Sequence, residues 1–192
     1  DAFASDDTTV TESGPFYLET KTLKLNNIRF RYRNDNDTTK QFHGIRFSDM
    51  YVYALNTDMT NVSVVKDSIF ANVRSLSLKE KSGFIIRQLS TVAKVAPDML
   101  RCKSLKLNTN FSKIDADVIF RHERYGDYQD FNNKMKMQGE LRPTVVCMQD
   151  IAYFAPELNG FGNIVKISGK VSGTVNNLKV KGFDLTTGNV SH

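Results

Sequence analysis

The chain has 192 residues, 40% of them apolar and 24% charged, with a formal net charge of +5. That length and composition suffice for about one domain with a sizeable core and exclude a low-hydrophobicity disordered chain. The cations are scattered along the chain and are not gathered with stacking aromatics, so no nucleic-acid partner is expected; the charge implies at most a general affinity for anionic surfaces.

Residues 1–20 are acidic and polar and are read as a segment without fixed structure, preceding a β-rich segment over 21–192. Leu23 and Leu25 alternate with lysines; beyond Asn26-Asn27, Ile28, Phe30 and Tyr32 alternate with Arg29, Arg31 and Arg33. Successive side chains of a strand point to opposite faces, so this stretch has one apolar face and one triply cationic face, the arginines being expected in solvent. A polar turn over 34–40 leads to further alternation at Ile45/Phe47, Tyr51/Tyr53/Leu55, Ile69/Ala71/Val73 and Leu76/Leu78. Lys79-Glu80-Lys81-Ser82-Gly83 has the composition of a charged hairpin turn.

The spacing of Leu89, Val92 and Ala93 predicts one or two helical turns within 84–96, stopped by Pro97, and residues 149–158 hold a second short helical stretch. The two-residue period otherwise continues through Leu105/Leu107, Ala116/Val118/Phe120, Met135/Met137, Val165/Ile167, Leu178/Val180 and Phe183/Leu185. Short strands separated by turn signals predict an all-β antiparallel fold with less than about a fifth helix, as a meander, barrel or closed β-sandwich. Lys21-Thr-Leu-Lys-Leu-Asn26 returns as Lys103-Ser-Leu-Lys-Leu-Asn108, which fits an array of strands that each need only their neighbours.

Motifs for chemistry are scarce. His43, His122 and His192 are far apart in sequence and show no metal-ligand spacing, and no nucleotide or nucleophile loop occurs, so no catalytic residue, metal or cofactor is expected. His122-Glu123-Arg124 with Asp127 is read as part of a solvated hairpin loop. Gly169 and Gly173, four residues apart in an alternating run, suggest close backbone packing or sheet curvature and not a phosphate cradle. Cys102 and Cys147 are either two buried thiols or one disulfide. No apolar run approaches the ~20 residues of a spanning helix. Gly182 to His192 still alternates, so the chain reads as a piece of something longer.

Four phrases in order carry a resemblance: Leu76-Ser-Leu-Lys-Glu-Lys-Ser-Gly-Phe84, Leu105-Lys-Leu-Asn-Thr-Asn-Phe-Ser-Lys-Ile114, Asp150-Ile-Ala-Tyr-Phe-Ala-Pro-Glu-Leu158 and Ile167-Ser-Gly-Lys-Val-Ser-Gly-Thr-Val-Asn-Asn-Leu178. They resemble the TamB/AsmA-like envelope proteins of Bacteroides-type bacteria. The resemblance implies an extended curved sheet, a β-trough with an apolar interior, within a periplasmic bridge anchored in the inner membrane and reaching the outer membrane. It implies phospholipid acyl chains as cargo, an outer-membrane barrel insertase as a candidate partner, and no enzyme activity. On that reading the apolar strand faces line a lipid groove, with Phe30, Phe47, Val73, Leu78, Leu107, Phe120, Met137 and Ile167 as candidate lining residues, and the isolated segment is expected to self-associate or to hold detergent or lipid. The competing expectation is a secreted β-sandwich binding carbohydrate or protein, in which the same residues form a closed core.

Overall fold

The computed structural model describes residues 16–36, 43–123, 127, 131–174 and 176–188, with the side chains of 131, 132 and 182–188 left aside. The described residues form one antiparallel sheet of nine strands in chain order, β1 (Tyr17–Arg33), β2 (Asp49–Val65), β3 (Ser68–Glu80), β4 (Ile85–Ala96), β5 (Met99–Asn108), β6 (Lys113–Arg121), β7 (Lys136–Cys147), β8 (Ile164–Thr174) and β9 (Asn177–Gly188). The described residues also include the short helices α1 (Phe131–Lys134) and α2 (Met148–Ile151) and a 3-10 turn at Pro156–Leu158. None of these is long and apolar enough to cross a membrane.

All substantial strand contacts are between sequence neighbours, with β1 and β9 at the two edges. The sheet is therefore a single open layer, neither closed into a barrel nor folded into two packed sheets. The closed sandwich requires extensive contacts between strands distant in order, and among the described residues the substantial strand contacts join sequence neighbours only.

Each strand pair contains at least one register shift. A bulge places two residues opposite one, bends its strand and steepens the local twist. Left-handed backbone marks several of them, at Asn27, Ala54, Asn61 and Ser104. Non-glycine residues resist this conformation, and side chains secure it. The Asn27 amide donates to Asn56 Oδ1 at 2.9 Å, Asn56 Nδ2 donates to the Ala54 carbonyl at 2.9 Å, and the Ser104 amide donates to Asp117 Oδ1 at 2.5 Å. On the other face, three buried threonines meet the backbone at shifts: Thr57 donates to the Ser75 carbonyl, Thr91 to the Lys103 carbonyl and Thr144 to the Asp115 carbonyl. Pro143, which has no amide to contribute to a ladder, falls in the shift between Leu141 and Thr144.

A bulge also explains why 84–96 is strand and not helix. Leu78 stands opposite Ile86 and Leu76 opposite Leu89, so the shift between those pairs puts inward-facing Ile86 and Leu89 three positions apart. Three is a helical spacing, and outward-facing Val92, three positions after inward-facing Leu89, prolongs the resemblance to a helix. Residues 149–158 do hold the short helical pieces expected there. β1 starts at Tyr17, inside the stretch read as unstructured, while residues 1–15 lie outside the described residues. Phe47 is not on a strand but in the connection before β2. Both cysteines are free thiols, Cys147 buried and Cys102 half-buried with burial pushing its pKa up. Gly173 is left-handed (φ +118°) at the end of β8, where a Cβ would stand 2.1 Å from the Asn177 carbonyl oxygen. It closes the hairpin to β9.

The outer face carries a charge network around the β5 bulge, in which Arg142 bridges Asp115 (2.5 Å) and Asp117 (2.8 Å). The Ser104 amide first and Arg142 second hold the Asp117 carboxyl below the usual carboxylate range. A depressed folded-state pKa gives stability that is present above the unfolded carboxylate pKa of about 3.9 and lost as pH falls through the folded value. Asp117→Asn should therefore lower the urea midpoint near pH 6, and the gap to the parent chain should close on acidification below the ordinary carboxylate pKa of about 3.9. A gap that persists unchanged at low pH would show that the carboxylate charge does not hold the bulge.

Candidate functional site

Side chains directly opposite one another in a sheet share a face. Following the register across the sheet, Leu18, Val64, Ile69, Val95, Leu100, Phe120, Met137, Gly173 and Leu178 stand side by side, one from each strand. Eight of the nine are apolar side chains, the ninth is glycine, and none is buried. Leu18 is 49% exposed, Ile69 44% and Leu178 44%. A continuous apolar line across a whole sheet with no layer over it is the most unusual surface of the described residues.

Two residues further along β3 to β9, on the same face, lies a row of small side chains: Ala71, Ala93, Cys102, Val118, Gly139, Val171 and Val180. Beyond it the row is mixed, with Met59, Val73, Leu105 and Leu141 interspersed with Thr91, Ala116 and Gly169. Rows two residues apart are separated by about 7 Å. A floor of small residues lowers the face beside the exposed row, and the groove is this step across the strands. At Gly139 even a Cβ would meet the Asp117 carbonyl oxygen at 2.4 Å, so β6 and β7 approach closely there. Ala71, Val118 and Val171 are buried although no second sheet lies above them; the flanking side chains of their own face supply the cover.

One rim of this face is walled by the β7–β8 connection. Tyr153 and Phe154 set their rings edge-on against Phe84, with centroids 5.4 and 5.3 Å away, and Phe154 also meets Phe47 at 6.4 Å. Ile45 donates its amide to the Tyr153 carbonyl at 2.7 Å. The preceding Gly44 is left-handed (φ +84°), and a Cβ there would lie 2.5 Å from that carbonyl oxygen, which explains the glycine. Asp150, buried in α2, pins the wall to the β5–β6 turn: its Oδ2 accepts from Thr109 Oγ1 (2.6 Å), Ser112 Oγ (2.5 Å) and the Phe111 amide (3.1 Å). Burial first, and the Asp150 charge second, push the Tyr153 hydroxyl pKa up. Glu80, also buried, accepts from the Ser82 amide at 2.7 Å and the Tyr51 amide at 3.2 Å.

Of the candidate lining residues, Phe120 and Met137 belong to the exposed row and Val73 to the row beyond the floor. Leu78 faces Ile86, Leu107 lies between Leu89 and Ile114, and Ile167 faces Thr144, all on the same face toward the walled rim. Phe30 is opposite Val52 near the end of β1 and is 52% exposed. Phe47 lies against the wall. Arg29, Arg31 and Arg33 are solvent-exposed, with Arg33 2.5 Å from Asp35.

Two features escape a reading of the sequence. The wall depends on a long-range contact of α2 with the β5–β6 turn. His122 and Asp127 are buried, not solvated; the His122 amide donates to the Asp98 carbonyl and Asp127 accepts the Glu123 amide. They border a recess of about 440 Å³ with Arg121, Asn133, Lys134 and Lys136; residues 124–126 lie outside the described residues.

Comparison with protein-family models, curated proteins and solved structures finds no match to this chain.

Removing the Asp150 carboxylate leaves two hydroxyls and an amide without their acceptor. Asp150→Ala should cost about 3 kcal/mol in urea unfolding and speed amide exchange over 109–112. Glu157→Ala, on an exposed side chain of the same connection, should change stability by less than about 0.5 kcal/mol. Equal effects from the two would mean that Asp150 does not anchor the wall.

Proposed function

We propose that this chain is a non-catalytic segment of a TamB/AsmA-like periplasmic bridge, whose apolar sheet face carries phospholipid acyl chains between the two membranes. The observation that supports this reading is the apolar row crossing all nine strands with no covering layer. An acyl chain laid across the strands gains about 0.8 kcal/mol for each methylene taken out of water. The lining offers no carbonyl-rich or charged pocket that would fix a chain at one position, so it can slide. Movement along such a face requires no reacting group. In a longer protein the β1 and β9 edges are where further strands would extend the same face. An outer-membrane barrel insertase remains the partner proposed for the whole bridge.

Photo-crosslinkers on adjacent residues give the test, because Phe120 lies on the apolar face and Ile119 on the opposite one. Incubated with phosphatidylcholine vesicles and irradiated, a crosslinker replacing Phe120 or Leu100 should capture phospholipid at least several-fold more than one replacing Ile119 or Gln138, which share the opposite face. Equal capture on both faces, or none on either, would remove the conduit reading.

A further inference from the structure

The cations that look scattered in the sequence are gathered by the meander. Hairpin connections bring β3, β4 and β5 side by side, and the outer faces of these strands present Arg74, Arg87, Lys94, Arg101, Lys103 and Lys106. Lys94 and Arg101 are directly opposite each other, a like-charge pairing that sheets ordinarily avoid. The one acid on the three strands, Glu80, is buried with its carboxylate held by backbone amides. Of the acids on the flanking strands, Asp58 lies 3.9 Å from Lys24, and Asp115 and Asp117 hold Arg142 while bordering Lys106 and Lys103, so the side of the patch toward β3 and β4, with Arg74, Lys94 and Arg101, is the least neutralised. Exposed apolar side chains lie among these cations, Val92 opposite Lys103 and Phe70 opposite Lys94.

We propose that the outer face of β3–β5 docks on the anionic headgroup surface of a phospholipid bilayer. Charge spread over three strands matches an extended layer of phosphates better than a single bound anion; the recess of about 520 Å³ that Arg101 and Lys103 border is also lined by Asp117 and Glu140, which disfavour a single anion there. Val92 and Phe70 suit the boundary between headgroups and acyl chains, where cations flanking apolar side chains are favoured. A single-stranded nucleic acid fits less well, since it needs open aromatic faces for stacking and the Phe70 ring is covered by the Lys94 ammonium at 5.1 Å. This surface lies on the opposite side of the sheet from the groove and does not depend on the groove's cargo.

Co-sedimentation with vesicles tests it, using phosphatidylcholine alone and phosphatidylcholine containing roughly one-third phosphatidylglycerol. The chain should bind the anionic vesicles and release them at high salt. Combined Lys94→Gln, Arg101→Gln and Lys103→Gln should weaken that binding about a hundredfold, at around fivefold per cation. Lys166→Gln, Lys170→Gln and Lys181→Gln, which remove the same charge from exposed positions on β8 and β9, should weaken it only a few-fold. Phe120→Glu, a groove change, should leave docking intact while abolishing acyl capture, so failure of one proposal is distinguishable from failure of the other. Equal loss in the two triple variants, equal binding to both vesicle types, or patch-dependent binding of an acidic protein or oligonucleotide without vesicle binding would overturn the proposal. Matching urea midpoints for the variants and the parent confirm that folding is unchanged.

Discussion

The constraint on which this molecule depends is that a strand sends alternate side chains to opposite faces, and that this phase is preserved across nine strands despite repeated bulges. Each bulge by itself would rotate the rest of its strand by one residue and send apolar side chains into water. The register shows that this does not happen: on β4, Ile86 and Leu89 face the same way across a shift, and on β5 so do Cys102 and Leu105 across Ser104. The spacing of apolar residues in the sequence changes from two to three where the backbone takes up the extra residue. Bending and a continuous apolar face are thereby compatible.

The bulges need fixing, and the two faces do it differently. Inward threonines donate to backbone carbonyls at the shifts, which lets a polar side chain sit on an apolar face at no cost in unmet hydrogen bonds. Outward, the Asp117 carboxylate holds the Ser104 amide and is itself held by Arg142. Because strand contacts run only between sequence neighbours, stability accumulates locally from one strand to the next. No layer is required over the apolar face, and none is found among the described residues. The same economy leaves that face available to a ligand.

The two-residue period made the all-β antiparallel class legible, as well as the sidedness of each strand: Phe120 inward and Arg31 outward follow from alternation alone. What alternation cannot show is where a bulge falls, since that depends on the partner strand. Leu89, Val92 and Ala93 mimic a helix for another reason: Val92 is an apolar side chain on the outer face, and the inward position between Leu89 and Ala93 is the polar Thr91, so the inward threonines carry no local signal. Phe47 was misplaced for a related reason, because its contact is with Phe154, more than a hundred residues away in a wall that only the folded chain assembles. The basic patch was invisible on similar grounds. Lys94 and Arg101 are seven positions apart and face each other only because Pro97-Asp98 turns the chain back.

The central claim is that the apolar row is open to solvent in the free chain and takes up an acyl chain when lipid is present. The chain contains no tryptophan, so Phe120→Trp introduces a single reporter in that row and Phe84→Trp one beneath the wall. Quenching by aqueous acrylamide, followed by quenching with phospholipids brominated on their acyl chains, is the most direct measurement. The reporter at 120 should be readily quenched by acrylamide without lipid, then shielded from acrylamide and quenched by the brominated chains once lipid is added; the reporter at 84 should respond weakly to both. A reporter at 120 as protected from acrylamide as the one at 84, and indifferent to brominated lipid, would show that the face is covered and would contradict the account.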